Sequence, residues 1–208
     1  MNSTSVDKAM WHNVRSIRIS ASERPHMIKT SRKPHPRLAE DMLTRKDICT
    51  GAMMYGRRAE ATAVRKFAQQ TGKCVKHTGT VILKQQPWLC CTPDGLCEDG
   101  LLEVKCPHSR QKSIIVDFEN KKSTVQYLVY KDGELMMRET HKYYTQVQLS
   151  LYVLGMTKCH FFVYSSAQQV HVEVPLNESF VSGIVPRLED FYFCHLLPLL
   201  AKEKITQQ

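Results

Sequence analysis

The 208-residue sequence lacks any apolar run approaching the ~20 residues of a membrane span. Its polar start, MNSTSVDKAMWHNVR, has no apolar h-region of the kind that marks a secretory leader. The eight cysteines, at 49, 74, 90, 91, 97, 106, 159 and 194, form no CxxC pair and show none of the dense regular spacing of a disulfide scaffold. Reduced thiols in an intracellular protein, nuclear or cytoplasmic, are the expectation. A zinc site built from Cys97, Cys106 and His108 would need a fourth ligand that the local sequence does not supply. Internal repeats and low-complexity tracts are absent too, and with 42% hydrophobic and 24% charged residues wholesale disorder is excluded.

What is present is one domain's worth of chain with an uneven charge. The formal net charge is +9. Residues 1–58 hold twelve Lys and Arg against five Asp and Glu, whereas the remainder is nearly balanced. A basic N-terminal region suits a polyanionic partner such as nucleic acid, or else is a solvated face. The expected class is α/β, a central mixed β-sheet flanked by helices. It divides into a basic N-terminal helical region over 1–50, a core over 51–175 and a C-terminal helix over 176–208.

Local patterns fill in this outline. Ser20-Ala21-Ser22 offers N-cap oxygens, and Pro25, Pro34 and Pro36 punctuate the basic stretch that follows. Residues 52–71 read as a helix ended by Gly72, with an apolar stripe of Met53, Gly56, Ala63, Val64 and Phe67. Glu60 falls on that stripe, so its carboxylate points toward the core side and needs a partner, for which Arg57 is the simplest choice. Short strands are expected around 80–83, 88–91 and 101–104, with Pro93-Asp94-Gly95 as a turn. Residues 107–141 suggest an irregular excursion with a helix and a turn at Asp132-Gly133. A helix over 143–154 closed by Gly155, paired strands over 159–164 and 170–174, and a terminal helix from Asn177, bent or interrupted at Pro186 and Pro198, complete the chain. His77, His141 and His160 read as surface or satisfied histidines.

One segment carries chemistry. In a strand Glu103 and Lys105 emerge on one side while Val104 points into the core, and Asp94 on the preceding turn can close a cluster of two carboxylates and an ammonium. Phosphodiester hydrolysis needs neutralised phosphate oxygens, an attacking hydroxide and help for the leaving oxyanion, which carboxylates holding Mg²⁺ can provide. Asp94 and Glu103 would be ligands together with the Val104 carbonyl. Lys105 would orient and deprotonate water or steady the phosphate, and Glu60 would be a third carboxylate, directly or through water. The bland alternative is a cross-sheet ion pair beside an ordinary turn.

The ordered set Trp11-His12 with Arg15, Ile19-Ser20-Ala21-Ser22, Gly56 with Glu60, TPDGLCEDGLLEVKCP over 92–107, and Tyr144-Thr145-Gln146-Val147-Gln148 resembles phage lambda exonuclease and the YqaJ-type viral recombinases, of the PD-(D/E)xK nuclease superfamily. The resemblance implies a restriction-endonuclease-like core and 5′ to 3′ digestion of one strand of duplex DNA from its ends, releasing 5′-phosphomonoesters. It also implies two Mg²⁺ ions, for which Mn²⁺ could substitute, at Asp94 and Glu103, with Lys105 as the catalytic lysine. Arg15, Ser22, Thr92 and Gln146, with Arg32 as a further candidate, would contact the terminal 5′-phosphate or the scissile region. A single-strand annealing protein as partner and a trimeric ring belong to the same expectation. Thr92 stands where the family often has Ser, and the last fifth of the chain carries no family motif. Two rivals remain: a structure-selective or site-specific endonuclease of the same fold, and a catalytically silent DNA-binding partner in recombination.

Overall fold

The computed structural model describes residues 14–22, 24–44 and 50–206; Trp11, His12 and Cys49 lie outside them. At the centre is a mixed four-stranded sheet in the order β11-β10-β5-β4. Strands β4 (Gly95–Cys97) and β5 (Gly100–Lys105) form an antiparallel hairpin, β5 runs parallel to β10 (Lys158–Tyr164), and β10 pairs antiparallel with β11 (Gln169–Pro175). β5 is thus flanked on both sides, and its residues from Gly100 to Val104 are all buried. A strand covered on both faces reads as the near-continuous apolar run seen here from Gly100 to Val104, in which Glu103 is the one ionisable exception before Lys105 ends the strand.

A smaller sheet in the order β1-β3-β2 joins Ile19–Ser20 (β1), Leu89–Cys91 (β3) and Val81–Ile82 (β2). β1 corrects the expectation of a helix start at Ser20: Ile19 and Ser20 pair in parallel with Leu89 and Cys90, and the helix after them, α1, begins at Arg24 and runs to Thr30. Helix α2 (His35–Thr44) follows. The described part of the basic N-terminal region is therefore largely helical but stitched to the body by a strand.

The two strongest helix expectations hold, and their ends show why. Helix α3 spans Gly51–Thr71, where the Thr50 hydroxyl accepts from Met53 N–H and Gly72 takes the left-handed conformation at φ 70° that a side chain would resist. Its stripe is shorter than the sequence suggests. Ala63, Val64 and Phe67 are buried, but Met53 is 47% exposed and the first turn carries no buried residue. Helix α4 (Lys142–Leu154) is capped by the His141 ring nitrogen and by left-handed Gly155. Burial, then Lys142, pushes His141 down to about 4, which keeps that nitrogen an acceptor. α4 is buried on most of its circumference, and Gln148 within it bonds both the Pro175 carbonyl (2.9 Å) and the Asn177 N–H (2.7 Å).

Residues 107–141 contain no α-helix, contrary to the sequence reading. After a 3₁₀ turn at His108–Arg110 come two antiparallel hairpins, β6 (Val116–Asp117) with β7 (Lys122–Ser123) and β8 (Leu128–Lys131) with β9 (Glu134–Met137). The expected turn at Asp132-Gly133 closes the second, with both residues at positive φ as a two-residue hairpin loop demands. At the C-terminal end Pro186 sits inside α5 (Glu178–Phe191), capped by Asn177. A π turn over Tyr192–Leu196 leads into α6 (Leu197–Thr206). That wider turn precedes Pro198, whose ring would otherwise crowd the carbonyl four residues back.

Three apolar clusters hold these layers together. One unites β1, α1, α2, β3, α4 and α5, a second lies between β5, β10, β11, α4 and the two hairpins, and a third packs α3 onto Leu102, Val104 and Phe162. Side chains on β5 therefore alternate between an α4 side (Leu101) and an α3 side (Leu102, Val104).

Candidate active site

Alternation along β5 delivers Glu103 beneath α4. It is only 1% exposed. Its Oε1 forms an ion pair with the Lys105 ammonium and accepts from the Gln146 amide at 2.5 Å, while its Oε2 is buried with no hydrogen-bond partner among the described residues. Burial first, then the nearby Asp94 carboxylate, works to raise the Glu103 pKa, against the pull of Lys105. Lys105, its side chain 17% exposed, lies 4.6 Å from the centre of the Tyr143 ring, a contact that suits an ammonium.

Asp94 reaches the same place from the turn before β4. Beyond the Gly95–Leu102 pair β4 has ended, and Asp94 Oδ2 accepts the Val104 N–H at 2.7 Å in place of a strand carbonyl. Glu60 approaches from α3, half-buried, and its pKa is raised by burial and then by Asp94, with Lys105 opposing. The Cys106 thiol, pushed up to about 12 by burial and by the Glu60 and Asp94 carboxylates, stays protonated beside them. Glu60 is thus a member of the cluster rather than a partner of Arg57 alone.

These donors suit a hard divalent cation. Three carboxylates and the Val104 carbonyl offer oxygen only, and an ionised carboxylate oxygen buried without a partner is costly unless a positive charge meets it. The Glu60, Asp94 and Glu103 oxygens do not all lie within 4.8 Å of one another, so the three do not close around a single point.

Three of the four remaining candidates named with Gln146 meet in a second polar group. The Arg15 guanidinium donates to the Thr92 hydroxyl (2.9 Å) and to the Ser22 hydroxyl (3.0 Å). Thr92 also bonds the Thr80 hydroxyl (3.0 Å), and Ser20 lies 3.5 Å from Ser22. Thr92 is two residues from Asp94, so this hydroxyl and guanidinium group adjoins the carboxylates along the chain. No contact among the described residues brings Arg32 there; it is exposed in the loop between α1 and α2. Gln146 sits on Glu103. Sequence reasoning did not single out Thr80, and it reads the Tyr143 and Tyr144 pair as core and groove lining rather than a base-stacking platform. A hydroxyl one residue before β2 was the available signal for Thr80, whereas no sequence signal paired the Tyr143 ring with Lys105.

Comparison with known proteins agrees with this architecture. A family model described as a YqaJ-like viral recombinase domain matches residues 10–159. An alkaline exonuclease, LHK-Exo from Laribacter hongkongensis, superposes with a TM-score of 0.68 at 18% identity over 96% of this chain and 100% of that one. The same enzyme in complex with dAMP gives 0.69 at 17% identity over the same shares. A phage related exonuclease from Haemophilus somnus 129PT gives 0.57 at 10% identity, covering 88% of this chain and 96% of that one. No curated protein sequence matches. The structural likenesses establish a shared fold, and the family match extends over most of the chain: it belongs to the YqaJ-like viral recombinase family.

Proposed function

We propose that the protein is a Mg²⁺-dependent deoxyribonuclease that resects duplex DNA from 5′ ends, serving recombination or replication of a virus or mobile element. The observation that carries the reading is the unpartnered, buried Glu103 Oε2 beside Asp94 and Lys105. Asp94 and Glu103, with the Val104 carbonyl, would hold the Mg²⁺, and Glu60 would reach it through a bound water or serve a second ion; the metal when bound supplies neutralising charge for the phosphate and acidifies water. Lys105, fixed between Glu103 and the Tyr143 ring, is placed to take up or return a proton at the attacking water or to steady the phosphate. Gln146 holds the Glu103 carboxylate so that Oε2 keeps its direction. Arg15, Ser22 and Thr92 present a guanidinium and hydroxyls of the kind that receive a terminal phosphate. The family resemblance and the fold shared with exonucleases support the exonucleolytic mode, whose single-stranded product would suit an annealing protein.

The test is digestion of linear duplex labelled at one 5′ or one 3′ end. Mononucleotides bearing 5′-phosphates are expected with Mg²⁺ and none with a chelator. Duplex with a 5′-phosphate should be preferred over 5′-hydroxyl, and Lys105→Ala should be nearly inactive. Cutting of covalently closed circles would replace the exonuclease with an endonuclease, and duplex binding without cleavage would make the protein a silent partner.

A further inference from the structure

A second cluster of titratable side chains lies on the other face of the central sheet. Phe161 shares the register of Glu103, so its neighbours His160 and Phe162 point toward α3. Opposite His160 on β11 stands Glu173, and opposite Phe162 stands His171. His160 Nδ1 is 3.1 Å from His171 Nε2 and 3.5 Å from Glu173 Oε1, and the three ligand atoms all fall within 4.8 Å of one another. A tetrahedral ion with bonds of about 2.0–2.1 Å separates its ligands by about 3.3–3.4 Å. The spacing observed is close to that.

The geometry around His160 points the same way. Its side chain is fully buried, and Nε2 faces Asp99 Oδ1 at 3.1 Å, which fixes the proton on Nε2 and directs the Nδ1 lone pair into the cluster. Asp99 is itself held as a carboxylate by Lys73 (2.9 Å) and Lys158 (2.8 Å). Phe67 stands at 5.5 Å from both imidazole rings and closes the inner side, whereas Glu173 is 54% exposed and leaves a way in. Lys158 also reaches Glu173 at 3.3 Å, but its shorter contact with Asp99 would remain if Glu173 turned to an ion. We propose that His160, His171 and Glu173 form a binding site for a transition-metal ion of the Zn²⁺ class, with Asp99 orienting His160 from behind. Two imidazoles and one carboxylate select such an ion over Mg²⁺ and leave a fourth position for water. An ion here clamps β10 to β11 and, through Asp99, to the turn between β4 and β5. The site shares no residue with the carboxylates around Glu103, so it stands whether or not the nuclease reading does.

The test is titration of the chelator-stripped full chain with Co²⁺, read by its visible absorption, with Zn²⁺ added to displace it. Wild type and Asp94→Asn are expected to take up one equivalent with the intense bands of a tetrahedral site and to melt higher when loaded. Glu173→Ala, at an exposed position that leaves the ion-free melting temperature near that of wild type, and His171→Gln should lose the signal. Asp99→Asn should weaken binding by about 10- to 100-fold. Absence of the absorption from wild type, its persistence in Glu173→Ala and His171→Gln, or its loss in Asp94→Asn would each overturn the proposal.

Discussion

Glu103 sits under α4 at 1% exposure with its Oε2 unpartnered among the described residues, an arrangement that a bound cation would satisfy under the proposed function. Its partners divide the labour. Lys105 and Gln146 occupy Oε1, so Oε2 is the oxygen left for an ion. Removing the carboxylate and removing the ammonium should therefore fail differently. Glu103→Gln is expected to lower nuclease activity by at least about 10²-fold and to abolish the rise in melting temperature that Mg²⁺ gives the wild type. Lys105→Ala should lose activity on a similar scale but still be stabilised by Mg²⁺, because the carboxylates remain. Thermal melts with and without Mg²⁺, alongside nucleotide release, separate the two roles.

The hairpin of β4 and β5 is the element on which the site hangs, and its close packing leaves little latitude. A Cβ added at Gly100 would lie 2.8 Å from the Lys158 carbonyl oxygen, a backbone atom of β10 that cannot rotate away. Gly100→Ala should cost about 1–3 kcal/mol by forcing the strands apart, measured by chemical denaturation. The turn of the same hairpin carries Asp99, whose pKa is depressed below the ordinary 3.8 chiefly by Lys158, then Lys73 and His160. A depressed carboxylate stabilises the fold above its unfolded pKa and loses that contribution as pH falls through the folded value. Wild type should therefore melt above Asp99→Asn near neutrality, by a small margin given the solvent exposure of the pair. The margin should begin to shrink as pH falls below about 3.8 and close only at the depressed value where the folded carboxylate takes up its proton. Elements with strong end signals were legible in the sequence: α3 and α4 each end on a glycine that adopts positive φ. The hairpins over 107–141 were not, since strands of two to four residues give too few alternations to oppose a helical reading. β1 was missed for a related reason, because a two-residue strand exists only through its distant partner β3. In the site, Asp94, Glu103 and Lys105 were readable because one hairpin holds them within twelve residues. The grouping of Asp99, His160, His171 and Glu173 was not, because sheet register assembles it from three separate segments.

Across the whole molecule the charge is +9, and the N-terminal 58 residues hold most of it. Duplex binding measured by fluorescence anisotropy in the presence of a chelator should weaken steeply with salt. A footprint of six to ten phosphate contacts corresponds to a loss of about 10³- to 10⁵-fold between about 50 and 200 mM. A flat salt response would show that the basic segment is solvated surface rather than a nucleic-acid face. The parallel pairing of β5 with β10 leaps over residues 106–157, which include the helix that roofs Glu103. A nascent polypeptide that has left the ribosome only as far as Lys105 holds Asp94, Glu103 and Lys105 but neither Gln146 nor the neighbouring strand. If the proposed function holds, the carboxylates gain their roof and neighbouring strand only once residue 164 has emerged, so a chain truncated before β10 should release no nucleotides from duplex DNA.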